Sequence, residues 1–428
     1  MFAPACRTLL ISASLFLLAS TVGGHELDWP QFRGPQRLAR SPETGLLKSW
    51  PTDGPSVHWM ARDLGTGYST PTIAQGRIYG MSYRGSDEGV WCLDENNGNE
   101  LWWTAIGKVP RRVSGQDLSY NDGPRSSPTV DGGFIYVLGT GGELACLSAS
   151  DGKIKWRKNL EKDLDGKMMS MWGFSESVFI DGDKLICTPG GDKATMVALR
   201  KRDGSEVWRA SVPGAGGAGY GSVTPIDVGG FRIYMNWVKT GLLGIDAKTG
   251  KLLWRYDKAA NGTANIPTPI VHENYVFCST AYRTGSALLK LTPSRTGVDA
   301  EQVYFITPQR YQNHHGGTVL LGDYLYGGHG QNDGKLTCIE FKTGEIKWQE
   351  RGIGQGSCAI LYADGMLYCR YQDGTLALVE ANPERMVMVS KFKLPYDGGK
   401  PSWPHPVISK GKLYIREQDM LMCFNIKE

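Results

Sequence analysis

Short apolar runs, broken by polar and glycine-rich turns, recur at nearly even intervals along this chain. An apolar strand runs into a polar turn at Leu93-Asp94, Leu147-Ser148, Leu199-Arg200, Ile245-Asp246, Leu291-Thr292 and Ile339-Glu340. Just beyond five of these turns a glycine is followed four positions later by tryptophan. The pairs are Gly98 with Trp102, Gly152 with Trp156, Gly204 with Trp208, Gly250 with Trp254 and Gly344 with Trp348. The first four tryptophans lie 54, 52 and 46 residues apart, and the last step of 94 spans two repeats, with Gly297 at its midpoint in a divergent copy. About twenty residues ahead of each turn, a small or polar loop leads into a strand, often through Ser/Thr-Pro. A hairpin and an aromatic-rich strand follow, and the aromatic-strand positions Tyr79, Tyr136, Ile186, Tyr234, Phe277, Tyr326, Tyr368 and Tyr414 mark eight copies. Each copy reads as four short antiparallel strands in about 45 residues, which is the pattern of a propeller blade.

The eighth copy ends at Glu428, after its third strand. The segment 56–62 supplies the missing outer strand, with Trp59 in the place of the repeat tryptophan. Closing the ring in this way leaves no free sheet edge between the first and last blades. The expected fold is therefore all-β, an eight-bladed β-propeller of four-stranded antiparallel blades whose last blade is closed by an N-terminal strand. Blade limits fall at about 69–107, 126–160, 175–211, 221–257, 266–306, 316–351, 356–394 and 402–426 plus 56–62.

Composition agrees with this reading. The 428 residues include 56 glycines, 13 tryptophans and 19 tyrosines, which suits many short strands and tight turns. A collagen period is absent, and the aromatics argue against disorder. The formal net charge of +4 is spread along the chain, so nucleic acid is not an implied partner.

Residues 1–24 read as a secretory signal: Arg7 precedes an apolar run, and Val22 and Gly24 supply small residues for cleavage. The alternative is an uncleaved N-terminal anchor. Residues 25–55 form an N-terminal arm, and 56–428 the propeller. No later segment is apolar for long enough to span a bilayer, so the expected location is periplasmic or extracellular, as a monomeric ring.

The unit Ile245, Asp246, Thr249, Gly250 and Trp254 resembles the pyrroloquinoline-quinone-like (PQQ-like) propeller repeat. That repeat occurs in quinoprotein alcohol dehydrogenases and in the non-enzymatic lipoprotein of the outer-membrane β-barrel assembly machine. The opening Asp28, Trp29, Pro30, Gln31, Phe32, Arg33, Gly34 and Pro35 is similar to a secreted bacterial subgroup labelled PQQ-binding-like or polyvinyl-alcohol-dehydrogenase-like. The resemblance fixes the fold expectation and leaves function to the site, because sites are grafted on folds.

In a propeller, the loops leading into the innermost strands cluster around the channel mouth, where several blades build one pocket. Here those loops carry Asp122, Arg125, Trp172, Glu176, Tyr220, Asn265, His314, His315 and His405. Arg125, Glu176 and the three histidines could converge on a small polar or anionic ligand; equally, the loops could only bond one another around the channel. If PQQ with calcium binds, Glu176 and Asn265 are the candidate calcium ligands, Arg125 holds a carboxylate and Trp172 stacks. Asp122 and Glu176 are then the weak candidates for a catalytic base. The vicinal cysteine pair of the family's dehydrogenases is absent, and no Cys-x-x-Cys-His haem motif occurs. Gly214, Gly216 and Gly219 match a nucleotide-loop spacing but lie between blades, outside the strand-to-helix setting that motif needs. The eight cysteines beyond the signal are expected as buried thiols without a disulfide framework. Two readings follow: an exported scaffold that binds a ligand or another envelope protein through its mouth loops, or a PQQ-dependent dehydrogenase of an alcohol or polyol.

Overall fold

The computed structural model describes residues 27–119 and 121–428. The signal expected over residues 1–24 lies outside them. Eight four-stranded antiparallel sheets form a closed eight-bladed propeller. Blade 4 shows the plan: Thr224–Val228, Phe231–Val238, Gly241–Asp246 and Leu252–Tyr256 pair in chain order from the channel outward. The first strands of neighbouring blades lie against one another and line the channel. Middle strands are buried throughout, as alternate faces meet two neighbouring blades.

Both chain ends build the last blade. Val57–Ala61 is its outer strand and pairs with Met420–Asn425, joining Trp59 to Cys423 and Ala61 to Leu421. One short helix, Leu160–Leu164, was not foreseen from the repeat; Asn159 caps it by accepting from the amides of Glu161 and Lys162.

The Gly-x-x-x-Trp unit is a joint between blades. The repeat glycines hold φ between +69° and +75°, a region that carries a steric penalty for any residue with a Cβ. Each lies flat against the ring of the preceding blade. A Cβ would come within 2.5 Å of Trp59 from Gly98, 2.7 Å of Trp102 from Gly152, 2.9 Å of Trp156 from Gly204 and 2.8 Å of Trp208 from Gly250. In the divergent fifth copy Tyr304 replaces the tryptophan: it packs on Gly344, and its hydroxyl donates to Phe341 O. The indole N–H groups of Trp59, Trp156, Trp208 and Trp348 reach a backbone carbonyl of the next blade. Those of Trp102 and Trp254 find no partner among the described residues.

The described cysteines are all buried free thiols. Ile360, not Cys358, stands opposite Cys369 across the hairpin.

The arm occupies the channel. Trp29 exchanges two main-chain hydrogen bonds with Ile73 of blade 1, and Pro30 O accepts from Val130 N of blade 2. Arg37 donates to Ser177 O and Val178 O of blade 3, and Arg33 to Thr318 O of blade 6. Ser41 N bonds Tyr362 O of blade 7, and Leu47 N bonds Ile426 O beyond the last strand of blade 8. Tight turns, with Arg33, Gly34, Arg37 and Ala39 all at positive φ, coil the segment into a plug.

Candidate functional site

The plug closes the channel below its mouth and leaves a cup of about 590 Å³. Residues from the mouth loops of seven blades form its wall; the blade 7 loop at Gly354, Gln355 and Gly356 lines neighbouring clefts instead. Serine and threonine at the start of the inner strands stitch the loops together. Ser127 N donates to Ser177 Oγ, Ser177 N to Ser222 Oγ, Ser222 N to Thr268 Oγ1, and His405 N to Thr70 Oγ1. The recurrent Ser/Thr ahead of these strands therefore has a structural task, accepting the amide of an adjacent blade.

Of the residues expected at the site, Asp122, Arg125, Trp172, Tyr220, His314, His315 and His405 line the cup. Glu176 and Asn265 do not. Glu176 is buried behind the wall, accepting from Thr188 N at 2.7 Å, Thr188 Oγ1 and Asn236 Nδ2. Burial pushes its carboxyl up to about 7, against the opposing pull of the Thr188 bond and Arg37. Asn265 is fully buried and ties its loop to blade 4: Nδ2 donates to Val238 O and Lys239 O, and Oδ1 accepts from Asn261 N. It is the adjacent Ile266 that faces the cup. The calcium pair expected for a quinone cofactor is thus not assembled, because both side chains are committed to holding loops. Among the described residues no group of three or more His, Cys, Asp or Glu is placed to hold a metal ion.

Aromatic rings make much of the wall. Tyr68 and Trp403 lie 4.7 Å apart at 38°, and Trp172 meets Tyr220 edge-on at 5.8 Å. His315 meets Trp403 at 63° and His314 meets Tyr282 at 79°. Most of these rings are steeply inclined to their neighbours. Among the described residues Asp122 is the one carboxylate on the wall. It accepts from Tyr68 OH at 2.7 Å and lies 3.7 Å from both Arg125 and Lys400. Burial pushes the Tyr220 hydroxyl up to about 12, and Tyr220 shares a hydrogen bond with Ser170.

The histidines are neutral near pH 7. Burial lowers His314 to about 4, where Tyr282 OH and Ser357 Oγ take its two nitrogens. Burial, with Arg33 nearby, lowers His405 to about 3. His405 Nε2 bonds His315 O at 3.4 Å, while His405 Nδ1 and His315 Nε2 are buried without partners among the described residues.

Sequence reasoning did not find the floor. Phe32 and Arg33 of the arm face the cup, with Phe32 edge-on to His405 at 5.1 Å. The available signal was two arginines four positions apart in a segment dense in glycine, proline and aromatics.

Comparison with known proteins gives the family. The family described as outer membrane protein assembly factor BamB matches residues 86–350. The BamB of Yersinia pestis is 27% identical over 180 residues, which is 40% of this chain and 40% of that protein. The chain therefore matches well under half the length of this curated relative. Among solved structures, BamB from Moraxella catarrhalis superposes with a TM-score of 0.58 at 15% identity, over 87% of this chain and 98% of that one. Quinohemoprotein alcohol dehydrogenase from Comamonas testosteroni gives a TM-score of 0.65 at 14% identity, over 94% of this chain and 81% of the other. At such identities these likenesses show the fold alone. With its matched repeat and its eight closed blades, this chain belongs to the outer membrane protein assembly factor BamB family of PQQ-like-repeat β-propellers.

Proposed function

We propose that this protein is an exported binding scaffold whose channel-mouth cup takes a small polar or anionic ligand, in the periplasm or outside the cell. The observation that carries the reading is the blind cup, with loops held by their own hydrogen bonds and a wall of aromatic and cationic side chains. A preformed, largely apolar concavity with a few fixed polar groups is the usual form of a small-molecule site. The wall's single carboxylate, Asp122, is engaged by Tyr68, Arg125 and Lys400, and Glu176 is walled off. Both weak candidates for a base therefore have structural work to do. Similarity to assembly factors of the outer membrane supports envelope proteins as the neighbours to which the rim is presented.

The test sets the scaffold against the dehydrogenase. Purified protein is incubated with PQQ and Ca²⁺, then assayed with alcohols and polyols and a dye acceptor. The scaffold reading expects no dye reduction. Stoichiometric quinone binding with alcohol-dependent dye reduction, lost in Asp122→Asn, overturns it.

A further inference from the structure

We propose that Arg33, on the plug, is a carboxylate anchor at the floor of the cup, so that the ligand is an organic acid with a ring or apolar face that enters acid end first. This rests on the cup being a ligand site, and it adds the ligand's chemical class and its point of attachment.

The geometry of Arg33 supports it. The residue is 3% exposed. Its Nε donates to Arg37 O at 3.2 Å and its Nη2 to Thr318 O at 2.5 Å, which fixes the guanidinium plane. Nη1 has no partner among the described residues. It lies beneath Gly317, also on the cup wall, where a Cβ would come within 2.5 Å of it. A glycine there keeps the third corner of the guanidinium accessible.

Charge points the same way. The ionic neighbour that acts on Arg33 is Arg37, also cationic and buried. Burying a cation without a counter-ion is strongly unfavourable even after relaxation. Along the cup, Arg33, Arg125 and Lys400 face Asp122 alone, and the neutral histidines add nothing, so the lining carries net positive charge. An anion on Nη1 supplies the missing counter-charge through a charge-assisted hydrogen bond, stronger than a neutral one.

Donor number and shape narrow the class. Arg33 uses only Nε and Nη2 in its hydrogen bonds, and His315 Nε2 is buried without a partner among the described residues, so Nη1 and, in its Nε2–H form, His315 are donors that an acid in the cup can use. A planar guanidinium corner and an imidazole N–H match the two oxygens of a carboxylate. The plug bars threading, so a polymer can offer only an end, and 590 Å³ accommodates one to a few rings. Aromatic side chains on several blades give the ring its apolar contact.

The experiment uses the full chain, with binding read by calorimetry and by quenching of wall tryptophans. Acid and neutral probes are paired as 2-naphthoate with 2-naphthamide and galacturonate with galactose, which separates flat aromatic from sugar acids; inorganic phosphate is the fifth probe. One acid is expected to bind at least tenfold tighter than its neutral partner and tighter than phosphate. Arg33→Gln removes that preference while leaving the neutral partner's affinity unchanged, and Arg33→Lys retains part of it. Circular dichroism and denaturation midpoints establish that each variant is folded. Should Arg33→Gln not fold, the Lys variant and the wild-type acid-to-neutral ratio decide. Equal binding of acid and neutral probe, an acid preference that survives in folded Arg33→Gln, tighter phosphate binding, or no acid binding overturns the anchor. None of these outcomes depends on dye reduction, so the scaffold reading fails or stands separately.

Discussion

Alanine at Gly250 tests whether the repeat glycine is there for its backbone angle alone or also for the ring above it. Gly250 sits at φ +75°, and a Cβ would come within 2.8 Å of Cε3 of Trp208, which belongs to the preceding blade. Gly230, in the same blade, sits at φ +85° with nothing within 4 Å. The left-handed region costs an alanine about 1–2 kcal/mol, and overpacking against a buried ring adds about 1–3 kcal/mol. Gly230→Ala is therefore expected to lose about 1–2 kcal/mol and Gly250→Ala about 2–5 kcal/mol. Trp208 is 8% exposed and bonds Ala247 O at 3.0 Å, so Trp208→Ala alone costs about 3–5 kcal/mol. With the ring removed, adding Gly250→Ala should cost only the backbone component, about 1–2 kcal/mol. The coupling of about 1–3 kcal/mol is read from guanidinium midpoints followed by far-UV circular dichroism in the four proteins of the cycle. Equal losses at Gly230 and Gly250, or strict additivity in the double variant, would refute the joint.

Two further outcomes are expected. Glu88 is 1% exposed, and burial raises its carboxyl to about 7 despite hydrogen bonds from Thr140 N and Oγ1. Between pH about 4.5 and 7 the folded chain keeps a proton that the unfolded chain has lost. Stability from this group therefore falls as pH rises through that window and is flat above it. Glu88→Gln should gain on the wild type by on the order of 1–3 kcal/mol from pH 5 to pH 8; parallel stability curves would contradict this. At the junction of blades 7 and 8, Arg370 pairs with Glu417 and donates to Pro404 O and Arg416 O, all buried. Glu417→Ala should cost about 3–5 kcal/mol, and Arg370→Met with Glu417→Leu should recover at least half. A loss below about 1 kcal/mol for the single variant would show that water reaches Arg370.

Local patterning located the blades because each is a set of short apolar runs, and the turns between them carry glycine. The closing strand was legible for the same reason: Trp59 repeats a spacing that the other blades had already established. What local pattern cannot show is which surface a side chain meets across a blade gap. The repeat glycine's partner is a ring 39 to 50 residues earlier, and in the fifth copy that ring is Tyr304 rather than a tryptophan. The same limit separated the mouth loops into two populations. Trp172, Tyr220 and the histidines face the cup, while Glu176 and Asn265, equally polar and on the same loops, turn inward to satisfy Thr188, Asn236, Val238 and Lys239. Arg33 was not found as a site residue because the arm lies outside the repeat, and its far partner, Thr318 O of blade 6, is 285 residues away.

The pairing of Val57–Ala61 with Met420–Asn425 has a kinetic consequence. As the chain is made, Val57–Ala61 precedes the strands of every other blade and its partner Met420–Asn425 follows them all. Every other blade can close from neighbouring segments, so local contacts accumulate early and the longest-range pairing comes at the end. Until then the unpaired strand is an open sheet edge, which another chain could capture. A chain shortened by Met420–Asn425 is therefore expected to keep the local order of seven blades without sealing the ring, leaving both rims of the gap open to proteolysis.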